Sequence, residues 1–388
     1  MPRNPNKIDY TANFPSGFDT FALIEDPRTG NNKKHHFGEV LFMAVTAMLC
    51  GMNTFSDIRY FVTLQLDWFK KWISLPNEIP SVQTFSNIFQ IIDPESFAEC
   101  LNQHIKGIFP DLAKQVIAVD GKALRGSHGL TKTNDHCVEA WAAETGATLA
   151  LEYVQAKSNE ITAIPKLLEQ LEIRGHVITL DAMGTQCSIA ENIQSRGADY
   201  ILALKGNQGS LHDEVIDQFH FATTQIKMEK SKKWSLHSDT EKSHGRITTR
   251  KIAVTNELEW MDTTIRNRWC GLKSLIMVES TTTTLKGEQT KTQKRFYISS
   301  LDRPAEDFQT MIRDHWSVEN SCHWVLDTVF REDHNQTHAK LAAKNLGILR
   351  RIVLNMLKVD KKLKVSLPKK RLHAQMDISY REHLMFLA

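Results

Sequence analysis

Between Phe37 and about Cys100 the apolar positions recur at helical spacing. One apolar segment runs from Phe37 to Met52, and an amphipathic one from Phe55 to Trp72 carries Arg59, Lys70 and Lys71. Pro76 and Pro80 interrupt the pattern, which resumes at Ser81, a helix-capping residue type, and continues to Phe89. Asp93-Pro94 opens a further helix with proline in its first turn. Residues 1–20 ahead of these read as an irregular arm. The helices form a small all-α bundle, either a DNA-binding module with a turn-linked helix pair or a cap on the next domain.

The pattern changes at Val116. Val116 to Asp120 is a continuous apolar run ending in an acid, which implies a central strand buried on both faces. Asp120-Gly121 taken alone is more often a hairpin turn. Strand-like Cys137 to Glu144 and Thr148 to Ala156, joined at Thr145-Gly146, complete a meander. Ile161 to Leu171 is helical, and His176 to Asp181 is a second buried strand ending in an acid. Next come a turn at Gly184, a helix from Ser188 to Ser195, a strand from Asp199 to Lys205, and a helix from Ser210. Three antiparallel strands, then helix, strand, helix, strand, helix is a ribonuclease-H-like order. It sets Asp120 and Asp181 side by side in mid-sheet, where open α/β sheets place their sites. Two neighbouring carboxylates repel, and a divalent cation is the usual means of keeping both ionised.

Residues 216–299 abandon the α/β alternation. Trp234 to Ser238, Arg246 to Thr255, Leu272 to Thr282 and Gln293 to Ser300 are strands rich in Thr, Val and Ile, a β-rich insertion splitting the core. Along His244 to Lys251 the residues alternate, so Arg246, Thr248 and Arg250 share one face, suited to tracking phosphates or merely to facing water. Ile312 to Asp333, free of proline and glycine, then reads as one helix. On it His315, Glu319 and His323 project in a single column between Trp316 and Trp324. Burying such a column requires a partner or a metal.

With 388 residues the chain is long enough for two or three domains. Its 41% apolar and 24% charged content is that of an ordinary globular protein. The net charge of +3 does not announce a nucleic-acid partner, but its distribution does more. Lys358 to Arg371 carries seven basic residues against Asp360, and Lys286 to Arg295 carries four against Glu288, the form of a solvated face or of a phosphate-contacting one. Six cysteines without a Cys-x-x-Cys pair argue for a reducing, cytoplasmic setting and against a thiolate zinc site. No apolar run is long enough to span a bilayer.

The residues resemble a family: the H-repeat-associated DDE transposases of bacterial insertion sequences (the ISAs type). The carrying motifs are Val119-Asp-Gly-Lys-Ala-Leu-Arg-Gly-Ser127, Leu180-Asp-Ala-Met-Gly-Thr-Gln186, Asp199-Tyr-Ile-Leu-Ala-Leu-Lys-Gly-Asn-Gln208, His244-Gly-Arg-Ile-Thr-Thr-Arg250 and Tyr297-Ile-Ser-Ser-Leu301. The longest is His315-Trp-Ser-Val-Glu-Asn320 with His323-Trp-Val-Leu-Asp327 and Phe330-Arg-Glu-Asp333. The resemblance implies a catalytic and metal-binding triad of Asp120, Asp181 and Glu319, and a DNA transposase that cuts element ends and joins them to target DNA. It implies DNA contacts from polar residues of the same motifs: Lys122, Arg125, Lys205, Asn207, Gln208, His244, Arg246, Arg250, Arg313, His315, Trp316 and His323. Cys322 stands where a leucine is more usual. A Tyr-x-x-Arg-x-x-x-Glu signature of neighbouring transposases would fall on Ile312 and His315, leaving Arg313 and His315 as candidates for the arginine's role.

In-line phosphodiester transfer needs a deprotonated nucleophile and neutralisation of the departing oxygen, which two Mg²⁺ ions (or Mn²⁺ in their place) supply from hard oxygen ligands. Cutting two ends together implies a homodimer on DNA, with no membrane partner. The expected layout is a helical end-binding domain over residues 1–105, catalytic core over 106–215 and 300–357, insertion over 216–299, and a basic tail over 358–388. A silent DNA-binding remnant of a transposase is the competing reading. A zinc hydrolase built from His315, His323, His334 and His338 lacks the glutamate that should come after the first histidine of the i, i+4 pair.

Overall fold

A computed structural model describes residues 14–15, 18, 21, 24–29, 33–109, 112–124, 135–154, 160–224, 233–243, 245–285, 289–337 and 339–386. Side chains that accept from amides three residues ahead start several of its N-terminal helices. Thr54 Oγ1 accepts from Asp57 N (3.1 Å), Ser81 Oγ from Thr84 N (3.1 Å) and Asp93 Oδ2 from Ser96 N (2.9 Å). The helices are α1 (Phe37–Leu49), α2 (Phe55–Leu64), α3 (Leu66–Phe69), α4 (Val82–Ile91) and α5 (Pro94–Ile108).

β1 (Val116–Leu124), β2 (Asp135–Ala142) and β3 (Ala147–Val154) form the expected antiparallel meander. α6 (Glu160–Glu169) leads to β4 (Val177–Leu180), and α7 (Cys187–Ser195) to β5 (Asp199–Leu204). β4 lies parallel to β1, and β5 parallel to β4. After α8 (Gly209–Thr224) come β6 (Trp234–Ser243), β7 (Arg246–Thr255), the short α9 (Thr263–Asn267), β8 (Ser274–Thr284) and β9 (Gln289–Ser299). The inserted strands do not form a sheet of their own. β9 pairs antiparallel with β5, from Ile201 opposite Ser299 to Leu204 opposite Phe296. One mixed sheet results, in the order β3-β2-β1-β4-β5-β9-β8-β7-β6.

The helix expected from Ile312 to Asp333 is three pieces. α10 (Ala305–Val318) starts earlier, Glu319–His323 is a π-helical turn, and α11 (Trp324–Thr328) stops well before Asp333. The wide turn breaks the i, i+4 register, so His315, Glu319 and His323 do not share one environment: His315 is buried, Glu319 exposed, and His323 intermediate. Of the i, i+4 pair His334 and His338, His334 closes a 3-10 turn and His338 lies outside the described residues.

The basic tail is likewise corrected. α12 (Lys340–Val359) is followed by α13 (Leu367–Met376) and α14 (Ile378–Met385). Lys370 and Arg371 are buried rather than solvated, because backbone carbonyls take up their donors. Lys370 Nζ donates to Leu357 O (2.8 Å) and Asp360 O (2.6 Å), and Arg371 Nη2 to Met48 O (2.8 Å). A single apolar core takes in α1, α4, α5, the strands β1 to β5, α12 and the ends of α14. A second cluster, Ile252, Ile276, Tyr297, Phe308 and Ile312 among its members, seats α10 on the inserted strands. No helix among the described residues is long and apolar enough to cross a membrane.

Candidate active site

Val119 of β1 pairs in parallel register with Leu180 of β4, so the next residue of each chain segment, Asp120 and Asp181, come side by side at the end of β4. β1 itself runs on, paired with β2, where Asp120 stands opposite Glu139. Asp120 Oδ1 accepts from Gly121 N (2.9 Å), and Asp181 Oδ1 from Met183 N (3.0 Å) and Gly184 N (3.2 Å). The loop carrying Asp181 is tied to the end of β5. Thr185 Oγ1 donates to Ala203 O (2.7 Å), Asn207 Nδ2 to Ala182 O (2.7 Å), and the Gln208 amide to Thr185 O. Burial pushes the Asp120 carboxyl up to about 6, and Asp181 and Glu139 add to it, against His323 and the Gly121 amide. Burial, then the charge of Asp181, also raises Glu160 at the start of α6, against His136.

Behind Asp120 lies a network of buried charge. His323 sets Nδ1 3.7 Å from Asp120 Oδ2 and Nε2 2.5 Å from Glu139 Oε1. Glu139 is fully buried and takes Arg351 Nε at 2.6 Å; Arg351 Nη1 reaches Glu332 Oε1 at 3.0 Å. Burial alone would raise Glu139, but Arg351 and His323 outweigh it and hold the carboxyl well below the usual range. Burial would likewise lower His323, yet Glu139 and Asp120 raise it, which favours the imidazolium. Lys122 Nζ lies 2.7 Å from Asp327 Oδ1 and 3.9 Å from Glu332 Oε2.

The other anticipated residues scatter. Glu319 is exposed at the first position of the π turn. Among the described residues no three His, Cys, Asp or Glu side chains stand close enough to hold an ion between them. Lys122 is buried on Asp327 and so leaves the phosphate-contacting set. His315 leaves it too: it sits under the sheet with Nδ1 2.9 Å from Thr179 Oγ1, and burial lowers it to about 4, so it is neutral there. Asn207 and Gln208 use their amides on the Asp181 loop. Arg125 and His244 lie outside the described residues. Lys205 and Arg246 are exposed. Arg250 meets Glu241 at 3.2 Å, and Arg313 meets Asp239 and Glu241, both at 3.0 Å. Neither Arg313 nor His315 therefore reaches Asp120 or Asp181 as a free cation.

With this geometry in view, family comparisons are decisive. A profile described as Transposase DDE domain matches residues 111–356, and one described as DDE_Tnp_1-associated matches residues 18–105. The chain belongs to the DDE transposases. YncI of Escherichia coli O157:H7, which carries a transposase name, is 34% identical over 377 residues, covering 95% of this chain and 93% of its own. YhhI of Escherichia coli K12, named as an H repeat-associated transposase, is 35% identical over 364 residues, covering 92% and 94%. Among solved structures, a piggyBac transposase synaptic complex with hairpin DNA aligns with 95% of this chain and 76% of its own, at a TM-score of 0.38 and 10% identity. That likeness is too distant to bear on any residue.

In this transposase a cleft of about 620 Å³ opens between the inserted strands and α10. Arg250, Arg295, Arg313, Trp316 and Asn320 line it, and the Arg295 guanidinium lies 4.4 Å above the Trp316 ring. Sequence reasoning marked Arg295 only as part of a basic run, and missed Glu139, Arg351 and Glu160. For Glu139 and Arg351 a signal existed: each is a charge set in an apolar run, Val138-Glu139-Ala140-Trp141 and Ile348 to Leu354. Such charges are buried only in pairs.

Proposed function

We propose that this DDE transposase cuts the ends of a DNA element and joins them to target DNA through divalent cations held by Asp120, Asp181 and Glu319. The observation that carries the reading is the pair of carboxylates side by side where the β1–β4 pairing ends, Asp120 within β1 and Asp181 just past β4, the first pushed up to about 6 by burial and by its neighbours. The strand order β3-β2-β1-β4-β5, a meander followed by two parallel additions, supports a ribonuclease-H-like core. The donor set fits Mg²⁺, or Mn²⁺ in its place: hard carboxylate oxygens, with the network's cations on the side of His323. When bound, such ions activate the attacking oxygen and neutralise the departing one.

The chain's own residues do the rest. The amides of Met183 and Gly184 hold one oxygen of Asp181 and leave the other for a cation, while Asp120 takes the Gly121 amide on Oδ1 and turns Oδ2 to His323. His323, braced by Glu139, fixes Asp120 from behind. Glu319 stands at a π turn, a feature frequent at functional sites. Lys205, Arg246 and the Arg250–Arg295 cleft serve the DNA backbone, and exposed Arg59, Lys70 and Lys71 of the N-terminal helices serve the element ends. A homodimer brings two ends together.

The test uses DNA carrying the element's own ends. Wild-type protein is expected to cut it with Mg²⁺. Asp181→Asn is expected to bind as well or better, since carboxylate–phosphate repulsion falls, and not to cut. Cutting at the wild-type rate by Asp181→Asn at saturating Mg²⁺ would overturn the assignment.

A further inference from the structure

Of the arginines lining the cleft beside α10, Arg250 and Arg313 already hold anions. Asp239 and Glu241 lie two residues apart on β6, the edge strand of the sheet, and so face the same way. Arg250 of β7 stands directly opposite Asp239 in the ladder, yet its Nη1 reaches diagonally to Glu241 Oε2 at 3.2 Å. Arg313, arriving from α10, forks across both acids. Its Nη1 meets Asp239 Oδ2 at 3.0 Å, and its Nη2 meets the same Glu241 Oε2 at 3.0 Å. Arg295 is placed differently, lying over Trp316 with Nη2 3.4 Å from the Gln293 amide oxygen.

Two guanidinium groups thus converge on one oxygen. Like charges brought that close repel unless an anion stands between them, so the fold provides an anion position and fills it with a carboxylate. That filling does little for the fold itself. Arg313 and Glu241 keep 47% and 43% of their side-chain surface exposed, and exposed ion pairs contribute little to stability. Asp239 Oδ1, the oxygen that Arg313 does not take, is buried without a hydrogen-bond partner among the described residues. A guanidinium binds carboxylate and phosphate with the same forked geometry, so either anion can occupy the position. The hydroxyls of Thr248, Ser280 and Thr282, which also line the cleft, add donors of the kind that meet a DNA backbone.

We propose that Asp239 and Glu241 are built-in stand-ins for DNA phosphates: they hold Arg250 and Arg313 in the free protein and yield them to the DNA backbone on binding. The proposal rests on the reading of this cleft as a DNA-contacting surface. It means that DNA must displace the acids before it gains the arginines. DNA held by few other contacts leaves the cleft shut, whereas DNA held through further surfaces opens it. The acids therefore work against loosely bound DNA, a repulsive element of the kind that specific binders use.

Fluorescence anisotropy of the full-length protein with duplex carrying the element's own end, in EDTA, reads binding apart from cutting. Asp239→Asn/Glu241→Gln is expected to bind roughly 2–10-fold more tightly than wild type, the combined contribution of the exposed pairs it removes. Glu306→Gln/Asp307→Asn removes two exposed charges from the first turn of α10, leaves the cleft alone, and so measures the effect of net charge. Arg250→Ala/Arg313→Ala is expected to weaken binding and reduce its salt slope. In that background the two acid substitutions are expected to tighten binding no more than the net-charge control, because the arginines they would release are gone. Tightening by Asp239→Asn/Glu241→Gln no larger than the control's, beside weakened binding in Arg250→Ala/Arg313→Ala, overturns the exchange and leaves the cleft reading standing. Equal tightening with and without the arginines overturns it too, since the acids then only repel DNA. Wild-type affinity and salt slope in Arg250→Ala/Arg313→Ala remove the cleft reading, and this inference with it. Should the double acid variant not fold, Asp239→Asn alone, expected to tighten binding by less, decides by the same comparison.

Discussion

At Asp120 a single carboxyl sets function against folding. Its ordinary value of 3.8 rises to about 6, chiefly through burial. A raised acid stabilises the fold while it is protonated; that contribution is fully present below about pH 3.8 and is lost as pH climbs through about 6. A displacement of this size is equivalent to about 3 kcal/mol at most. In chelator, Asp120→Asn should therefore raise stability at neutral pH by on the order of 2 kcal/mol and flatten its pH dependence between about 4 and 6. Urea unfolding across that window measures it, and an asparagine variant no more stable than wild type at pH 7 would contradict it. The aspartates themselves were legible in the sequence because each ends an apolar run, although β1 continues past Asp120 to Leu124. What surrounds them was not. His323, Glu139 and Glu160 come from other elements, and Lys122, adjacent in the motif to Gly121, turns inward to Asp327 instead of out to DNA.

One scale up, the link between β2, the π turn and α12 rests on Glu139, His323 and Arg351. Glu139 sits in an apolar strand with no exposure, so its charge persists only through these partners. Arg351→Met should cost about 3–5 kcal/mol, the usual penalty for leaving one member of a buried pair alone. Much less is expected of the double variant with Glu139→Gln, because the two sites share one interaction. Since the Glu139 carboxyl is held below its ordinary range, its contribution is present above the usual glutamate range and drains away as pH falls. A loss in the double variant equal to the sum of the two single losses, read from urea midpoints, would show that the pair is not coupled. The same network explains the broken helix. Nothing in the composition of Ile312 to Asp333 forbids a continuous helix, and the sequence pattern reads as one. Tertiary partners shape the turn: Cys322 Sγ lies 3.4 Å from Glu139 Oε1 and 3.6 Å from Thr148 Oγ1, while His323 reaches Asp120 and Glu139. The strands were easier to read, since runs rich in Val, Ile and Thr bounded by glycine specify β-structure locally. Their joining into one sheet through β5 and β9 is a long-range pairing that no local pattern reports.

For the whole molecule, the change of pattern at Val116 is a change of secondary structure and not a break in packing. Periodicity says that a helix face is buried; it does not say against what. Residues of α4 and α5 share the core with β3 and α12, and Asn345 of α12 donates to Phe89 O (2.8 Å) and Ile92 O (2.9 Å) from a fully buried position. From the other end, α13 and α14 close over α1 and α3. Trp68 Nε1 donates to Glu382 Oε1 (2.9 Å), and Arg381 Nη1 to Gln65 Oε1 (2.9 Å). The first and last portions of the chain thus complete one another's core. Removing residues 1–105 would bare the apolar faces of α12, α14 and β3 and leave the Asn345 amide and the Arg371 guanidinium without the carbonyls of Phe89 and Met48. Each buried donor left unmatched costs about 1–3 kcal/mol, and each large apolar side chain returned to water about 1.5–3 kcal/mol. Those losses exceed the roughly 5–15 kcal/mol by which a typical protein is stable. The fragment 106–388 should accordingly be insoluble or unfold without a cooperative transition, even though the residues assigned to catalysis are all retained. Size-exclusion chromatography and thermal unfolding decide it: a monodisperse, cooperatively folded fragment would mean that the N-terminal helices are a detachable module after all.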